Sequence, residues 1–188
     1  MARAAGGARA GRRVIRRHLV LVGLPGAGKT TVGRHLATLL DADFVDVDRF
    51  LVSRTGRTID EIFATEGEPR FRELERDAMA RLLKGQAAVI APGGGWAAQP
   101  GEMERARARA LLVYLRVSPA TAARRVERSR QRRPLLATGD ATAKVAALLE
   151  AREPFYRLAD VTVDVEPDRG PLATATDIAA IARRLAGW

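Results

Sequence analysis

From residue 18 onward, short runs of consecutive aliphatic residues alternate with stretches in which apolar side chains recur every three or four positions. The first pattern is that of a strand buried on both faces and the second that of an amphipathic helix. Their alternation predicts an α/β domain with a parallel sheet covered by helices. The runs place strands at residues 19–22, 43–46, 87–91, 110–115 and 161–165. The helical pattern falls near residues 28–40, 47–55, 59–65, 68–84, 100–108, 119–130, 141–158 and 173–186. Two helix starts carry their own chemistry: Thr58 and Glu61 have capping-box spacing, and Ser118 offers an N-cap oxygen ahead of Pro119. Residues 129–140 hold neither period and contain three arginines, the pattern of a mobile loop between helices.

A chain of 188 residues is one domain's worth of sequence. Residues 1–17 are mostly Ala, Gly and Arg with almost no apolar periodicity, so they read as a disordered arm ahead of a single domain at 18–188. The formal charge is +10, but six arginines of the arm supply much of it, leaving the body near +4. That balance suits an enzyme for small anions and not a nucleic-acid partner. The absence of cysteine excludes a disulfide scaffold, a thiolate zinc site and thiol catalysis. No apolar run approaches the roughly 18 residues of a membrane span, and cleavage of a secretory signal would destroy the glycine motif described next. A cytoplasmic monomer is expected.

Gly23-Leu24-Pro25-Gly26-Ala27-Gly28-Lys29-Thr30 satisfies G-x-x-x-x-G-K-[ST] between a predicted strand and a predicted helix. Glycines there let backbone N–H groups and the helix N-terminus surround a phosphate. Lys29 reaches the outer phosphates, and Thr30 offers a hydroxyl to a magnesium ion. The motif predicts nucleoside triphosphate binding.

Asp46-Val47-Asp48 comes after the second strand, where strand alternation would put both carboxylates on one side, near the ligand-binding edge of an open sheet. On the helix at 68–84, Phe71, Leu74 and Ala78 form the apolar stripe, so Arg72 projects from another face and Glu75 and Arg76 read as surface ion-pair material. Gly93, Gly94 and Gly95 follow the third strand, either as a sharp turn or as a place where backbone approaches a ligand. Arg133-Pro134-Leu135 and Arg152-Glu153-Pro154-Phe155-Tyr156 add two further arginines that matter only beside an anion.

In this order, together with the run from Arg54 to Phe63, these motifs resemble the shikimate kinase family over residues 18–187. The resemblance implies a P-loop three-layer α/β/α fold like that of nucleoside monophosphate kinases, with a five-stranded parallel sheet in the order 2-3-1-4-5 and a lid at about 129–142. It implies phosphorylation of the shikimate 3-hydroxyl by ATP with Mg2+, giving shikimate 3-phosphate and ADP. Lys29, Asp48 and Arg133 would act in catalysis. Gly26, Ala27, Gly28, Lys29, Thr30, Thr31, Arg125, Arg133 and Pro171 would hold the nucleotide, and Thr30 and Asp46 the metal. Arg72 and Arg152 would clamp the shikimate carboxylate, Asp48 and Gly93–Gly95 its hydroxyls, with Phe63, Glu75, Pro134 and Leu135 completing the pocket.

Pro92 and Trp96 depart from the family pattern, and an indole beside the acceptor loop bears on which acceptor fits. The rival readings are a related kinase for another hydroxylated acceptor, such as gluconate, and a non-catalytic nucleotide-dependent binding module.

Overall fold

The computed structural model describes residues 16–128 and 141–188. The arm up to residue 15, the body of the expected lid, and Arg133, Pro134 and Leu135 lie outside the described residues. Arg16 and Arg17, assigned to the arm from sequence, are held against the domain. The Arg17 N–H donates to the Ala186 carbonyl at 2.9 Å, and Trp188 Nε1 donates to the Arg17 carbonyl at 2.9 Å.

Five parallel strands form one sheet in the order β2-β3-β1-β4-β5, from β1 (His18–Val22), β2 (Phe44–Asp46), β3 (Val89–Ala91), β4 (Ala110–Arg116) and β5 (Val161–Asp164). Every residue of β1 and all but the last of β4 are buried, which is why their sequences read as unbroken aliphatic runs. Seven helices among the described residues cover the sheet: α1 (Lys29–Leu40), α2 (Val47–Thr55), α3 (Ile59–Leu82), α4 (Glu102–Arg107), α5 (Pro119–Arg128), α6 (Ala141–Tyr156) and α7 (Pro171–Leu185). None is long and apolar enough to cross a membrane.

Local chemistry sets several boundaries. The capping box closes at α3, where Thr58 Oγ1 accepts from the Glu61 N–H at 3.2 Å and the Thr58 N–H donates to Glu61 Oε2 at 2.7 Å. Ser118 Oγ accepts from the Thr121 N–H at 3.3 Å at the start of α5. The two helices expected at 59–65 and 68–84 run end to end as α3, broken at Gly67 (φ 78°, ψ 174°), with Pro69 in the first turn of the second limb. That backbone angle admits glycine far more readily than any other residue. A 3₁₀ turn at Trp96–Ala98 was not foreseen.

The first strand sits between β3 and β4, so the chain leaves it toward both sides of the sheet. That is the topological switch point at which open α/β sheets bind ligands. The carboxyl ends of β1, β2 and β3 deliver the glycine loop, Asp46 and Pro92 to one edge.

Candidate active site

A cleft of about 340 Å³ opens at this edge, walled by Gly26, Gly28, Lys29, Thr30, Thr31, Asp46, Asp48, Gly93, Gly94 and Arg125. The glycine loop forms its floor. Gly26 takes φ 83°, and a Cβ there would lie 2.4 Å from the Ala122 carbonyl oxygen, so the loop closes against α5 only because residue 26 lacks a side chain. Gly28 caps α1 in a left-handed conformation, and Lys29 Nζ donates to the carbonyls of Gly23 at 2.9 Å and Leu24 at 3.1 Å. Open backbone donors at a helix N-terminus beside an ammonium group make an anion cradle.

Asp46 and Asp48 reach the cleft by a route that strand alternation did not anticipate. The strand ends at Asp46, and Val47 already belongs to α2. Asp46 is the N-cap of α2, its Oδ1 accepting from the Arg49 N–H at 3.2 Å while Oδ2 accepts from Thr30 Oγ1 at 2.8 Å. Asp48 stands in the first turn of the same helix, where the positive end of the helix dipole favours a carboxylate. The hydroxyl and carboxylate joined at 2.8 Å form a compact all-oxygen donor pair. Such a pair fits Mg2+, which keeps several waters and takes few protein ligands.

Each of the three consecutive glycines lies close against a different neighbour. A Cβ on Gly93 would lie 2.5 Å from Glu75 Oε1 and 3.5 Å from Asp48 Oδ1. One on Gly94 would meet Pro25 Cδ at 3.1 Å and the Gly23 carbonyl oxygen at 3.2 Å. One on Gly95 would lie 2.4 Å from Arg72 Nη2. The turn therefore gathers the two carboxylates, the phosphate loop and the arginine around bare backbone. Of the two sequence alternatives the sharp turn is present, with the Trp96 N–H donating to the Gly93 carbonyl at 3.1 Å, and the close neighbours of the bare backbone are protein groups.

Arg72 is aimed by two glutamates, donating to Glu68 Oε1 at 2.8 Å and to Glu75 Oε2 at 2.8 Å. Glu75 was read as surface ion-pair material; it is fully buried. Burial pushes its carboxyl up to about 7, against the pull of the adjacent Arg72 guanidinium. The Tyr156 hydroxyl, which sequence reasoning quoted but gave no role, donates to the Gly94 carbonyl and ties α6 to the glycine turn. The guanidinium of Arg152, on α6, faces the same hydroxyl, and the charge of Arg72, on α3, is also felt there. Phe63 packs against Phe71 with ring centroids 4.8 Å apart and ring planes tilted by 38°, joining the two limbs of α3.

A second hollow, about 170 Å³, adjoins the glycine loop and is bounded by Ala27, Gly28, Thr31, Arg125, Arg169 and Pro171. Arg125 borders both spaces, with Nη1 donating to the Gly26 carbonyl at 3.5 Å. Arg49 also lines the main cleft, unnoticed in the sequence because nothing marks it out among neighbouring arginines. Trp96, expected beside the acceptor loop, is turned by the 3₁₀ segment into the core, where it is fully buried and lines neither space.

A phosphate-binding loop at the switch point of a 2-3-1-4-5 parallel sheet, with a polar pocket alongside, defines a P-loop phosphotransferase fold. The family model for shikimate kinase matches residues 25–183. Similar curated proteins include shikimate kinases of Thiobacillus denitrificans, 47% identical over 79% of this chain and 81% of that one, and of Nitrobacter winogradskyi, 46% identical over 78% and 68%. Among solved structures, the shikimate kinase from Acinetobacter baumannii in complex with shikimate superposes with a TM-score of 0.83 at 37% identity, covering 92% of this chain and 97% of that one. The chain belongs to the shikimate kinase family.

Proposed function

We propose that the protein transfers the terminal phosphoryl group of ATP to the 3-hydroxyl of shikimate, releasing shikimate 3-phosphate and ADP. The observation that supports this most directly is the glycine turn. Asp48 and Glu75 stand at Gly93, the phosphate loop at Gly94 and Arg72 at Gly95, so donor and acceptor chemistry meet at three successive residues.

In this reading the backbone of Gly26–Thr30 and the Lys29 ammonium hold the phosphates, while Ala27, Thr31, Arg125 and Pro171 enclose the adenine. Arg72 and Arg152 receive the planar carboxylate, for which guanidinium forks are better matched than ammonium groups. Asp48 orients the 3-hydroxyl and accepts its proton as the oxygen–phosphorus bond forms and the bond to the leaving ADP oxygen breaks. Thr30 and Asp46 would hold Mg2+, which when bound neutralises charge on the phosphates. The remaining demand of phosphoryl transfer is alignment, which the backbone contact of the two loops provides. Arg133, Pro134 and Leu135 are assigned by family resemblance to the closing side of the pocket.

The test is ADP release measured with and without shikimate, alongside gluconate and a nucleoside monophosphate as rival acceptors. Turnover dependent on shikimate alone is expected. Turnover with another acceptor, or none, would overturn the reading.

A further inference from the structure

Gln99 closes the 3₁₀ turn that follows the three glycines, and its backbone is fixed on both sides. Its N–H donates to the Trp96 carbonyl at 3.0 Å, and its carbonyl accepts from the Glu102 N–H at 3.2 Å. The side chain is buried and turns toward α3, where Oε1 accepts from Arg76 Nη1 at 3.1 Å and Nε2 donates to Glu75 Oε2 at 3.1 Å. An arginine has donors only, so Arg76 dictates which end of the amide faces it. The NH2 group is thereby forced toward Glu75. The same Oε2 atom accepts from Arg72 at 2.8 Å, and Oε1 is left facing Gly93.

We propose that Gln99 is a positioning residue for the acceptor subsite, a buried amide that holds the Glu75 carboxylate in the orientation from which it aims Arg72. Arg76, exposed on α3, sets the sense of the relay from outside, so four side chains link solvent to the substrate pocket in the order Arg76, Gln99, Glu75, Arg72. This rests on Arg72 meeting the acceptor as proposed above.

The relay has an electrostatic reason to exist. The groups facing Glu75 are Arg72 on its own helix, Asp48 from α2, the Gly93 backbone and the Gln99 amide backed by Arg76. Burial opposes ionisation most and Asp48 adds to it, while Arg72 and the Gly93 backbone favour the charged form, and Gln99 Nε2 donates to the same carboxylate. A residue that merely filled the space between the turn and α3 would need no polar atoms; a buried amide costs free energy unless both its ends are satisfied.

Two variants test this. Gln99→Met keeps length and removes both hydrogen bonds; Gln99→Glu keeps shape and sets a second carboxylate against Glu75. The KM for shikimate is expected to rise about tenfold in Gln99→Met and more in Gln99→Glu, with the KM for ATP within twofold of the parent. Arg76→Met combined with Gln99→Met is expected to be no worse than Gln99→Met alone. In the absence of any substrate, a 13C NMR titration of the Glu75 carboxyl in the full chain is expected to move to higher pH in Gln99→Met. Unchanged KM for shikimate in both variants, equal loss toward both substrates, or an unmoved titration would overturn the relay. A parent protein that shows no turnover with shikimate would overturn the functional reading instead, and the titration still decides whether Gln99 governs Glu75.

Discussion

Arg72 Nη1 donates to Glu75 Oε2 at 2.8 Å across one turn of helix, and the carboxylate that receives it has no exposure to solvent. The pair is therefore a buried ion pair whose acid half is expensive to ionise and whose basic half is needed by the proposed substrate.

Burial raises the Glu75 carboxyl from 4.5 to about 7, so the folded protein binds that proton more tightly than the unfolded chain does. The stabilisation this gives is complete below about pH 4.5 and is lost as pH rises through about 7. Urea midpoints of the parent should carry this downward contribution between pH 5 and 8, and Glu75→Gln should remove it. Parallel profiles for the two proteins would refute the assignment.

Gly95 has φ −95° and ψ −10°, angles open to any residue, so Gly95→Ala isolates the contact between residue 95 and Arg72. The added methyl displaces the guanidinium. The KM for shikimate is expected to rise tenfold or more, about 1.4 kcal/mol of binding, while that for ATP stays put. Steady-state kinetics with each substrate varied would show it.

Burial pushes the Tyr156 hydroxyl up to about 12, so it remains a neutral donor to the Gly94 carbonyl throughout the working pH range. Tyr156→Phe leaves that carbonyl without its donor, at a cost of about 1–3 kcal/mol. A lower melting temperature together with weaker shikimate binding is the expected outcome by calorimetry; a change in neither would detach α6 from the pocket.

Lys29→Met removes the ammonium at the phosphate loop. Two of its hydrogen bonds run to the Gly23 and Leu24 carbonyls within the glycine loop and its aliphatic stem is kept by methionine, so the circular dichroism spectrum should be that of the parent. The turnover rate should fall by about 10²–10³, as when one preorganised charge-stabilising donor is lost.

The sheet and the phosphate loop were legible in the sequence because their signals are local. A strand buried on both faces must be aliphatic throughout, and a backbone cradle must be built from glycine. Read from its charge alone Glu75 falls on the surface, although the family resemblance set it in the pocket and a local signal existed. It lies one turn from Phe71 and one from Met79, both buried, so helical period alone points it inward; its charge argued the other way and prevailed. Gln99 carried no such signal, since a 3₁₀ turn of three residues is too short to establish a period. The same turn explains Trp96, whose indole fills the core although Gly93 and Gly94 just before it border the cleft.

Gly94 lies against the loop that begins at Gly23, with the Gly23 carbonyl and the Pro25 ring as its nearest neighbours. The clearance between the glycine turn and the phosphate loop is thus gauged by main chain and one rigid ring, much as a machinist's shim sets a gap. A methyl at position 94 would crowd both the carbonyl and the ring by a few tenths of an ångström, so a change of acceptor on this scaffold is easier to reach through the other walls of the pocket.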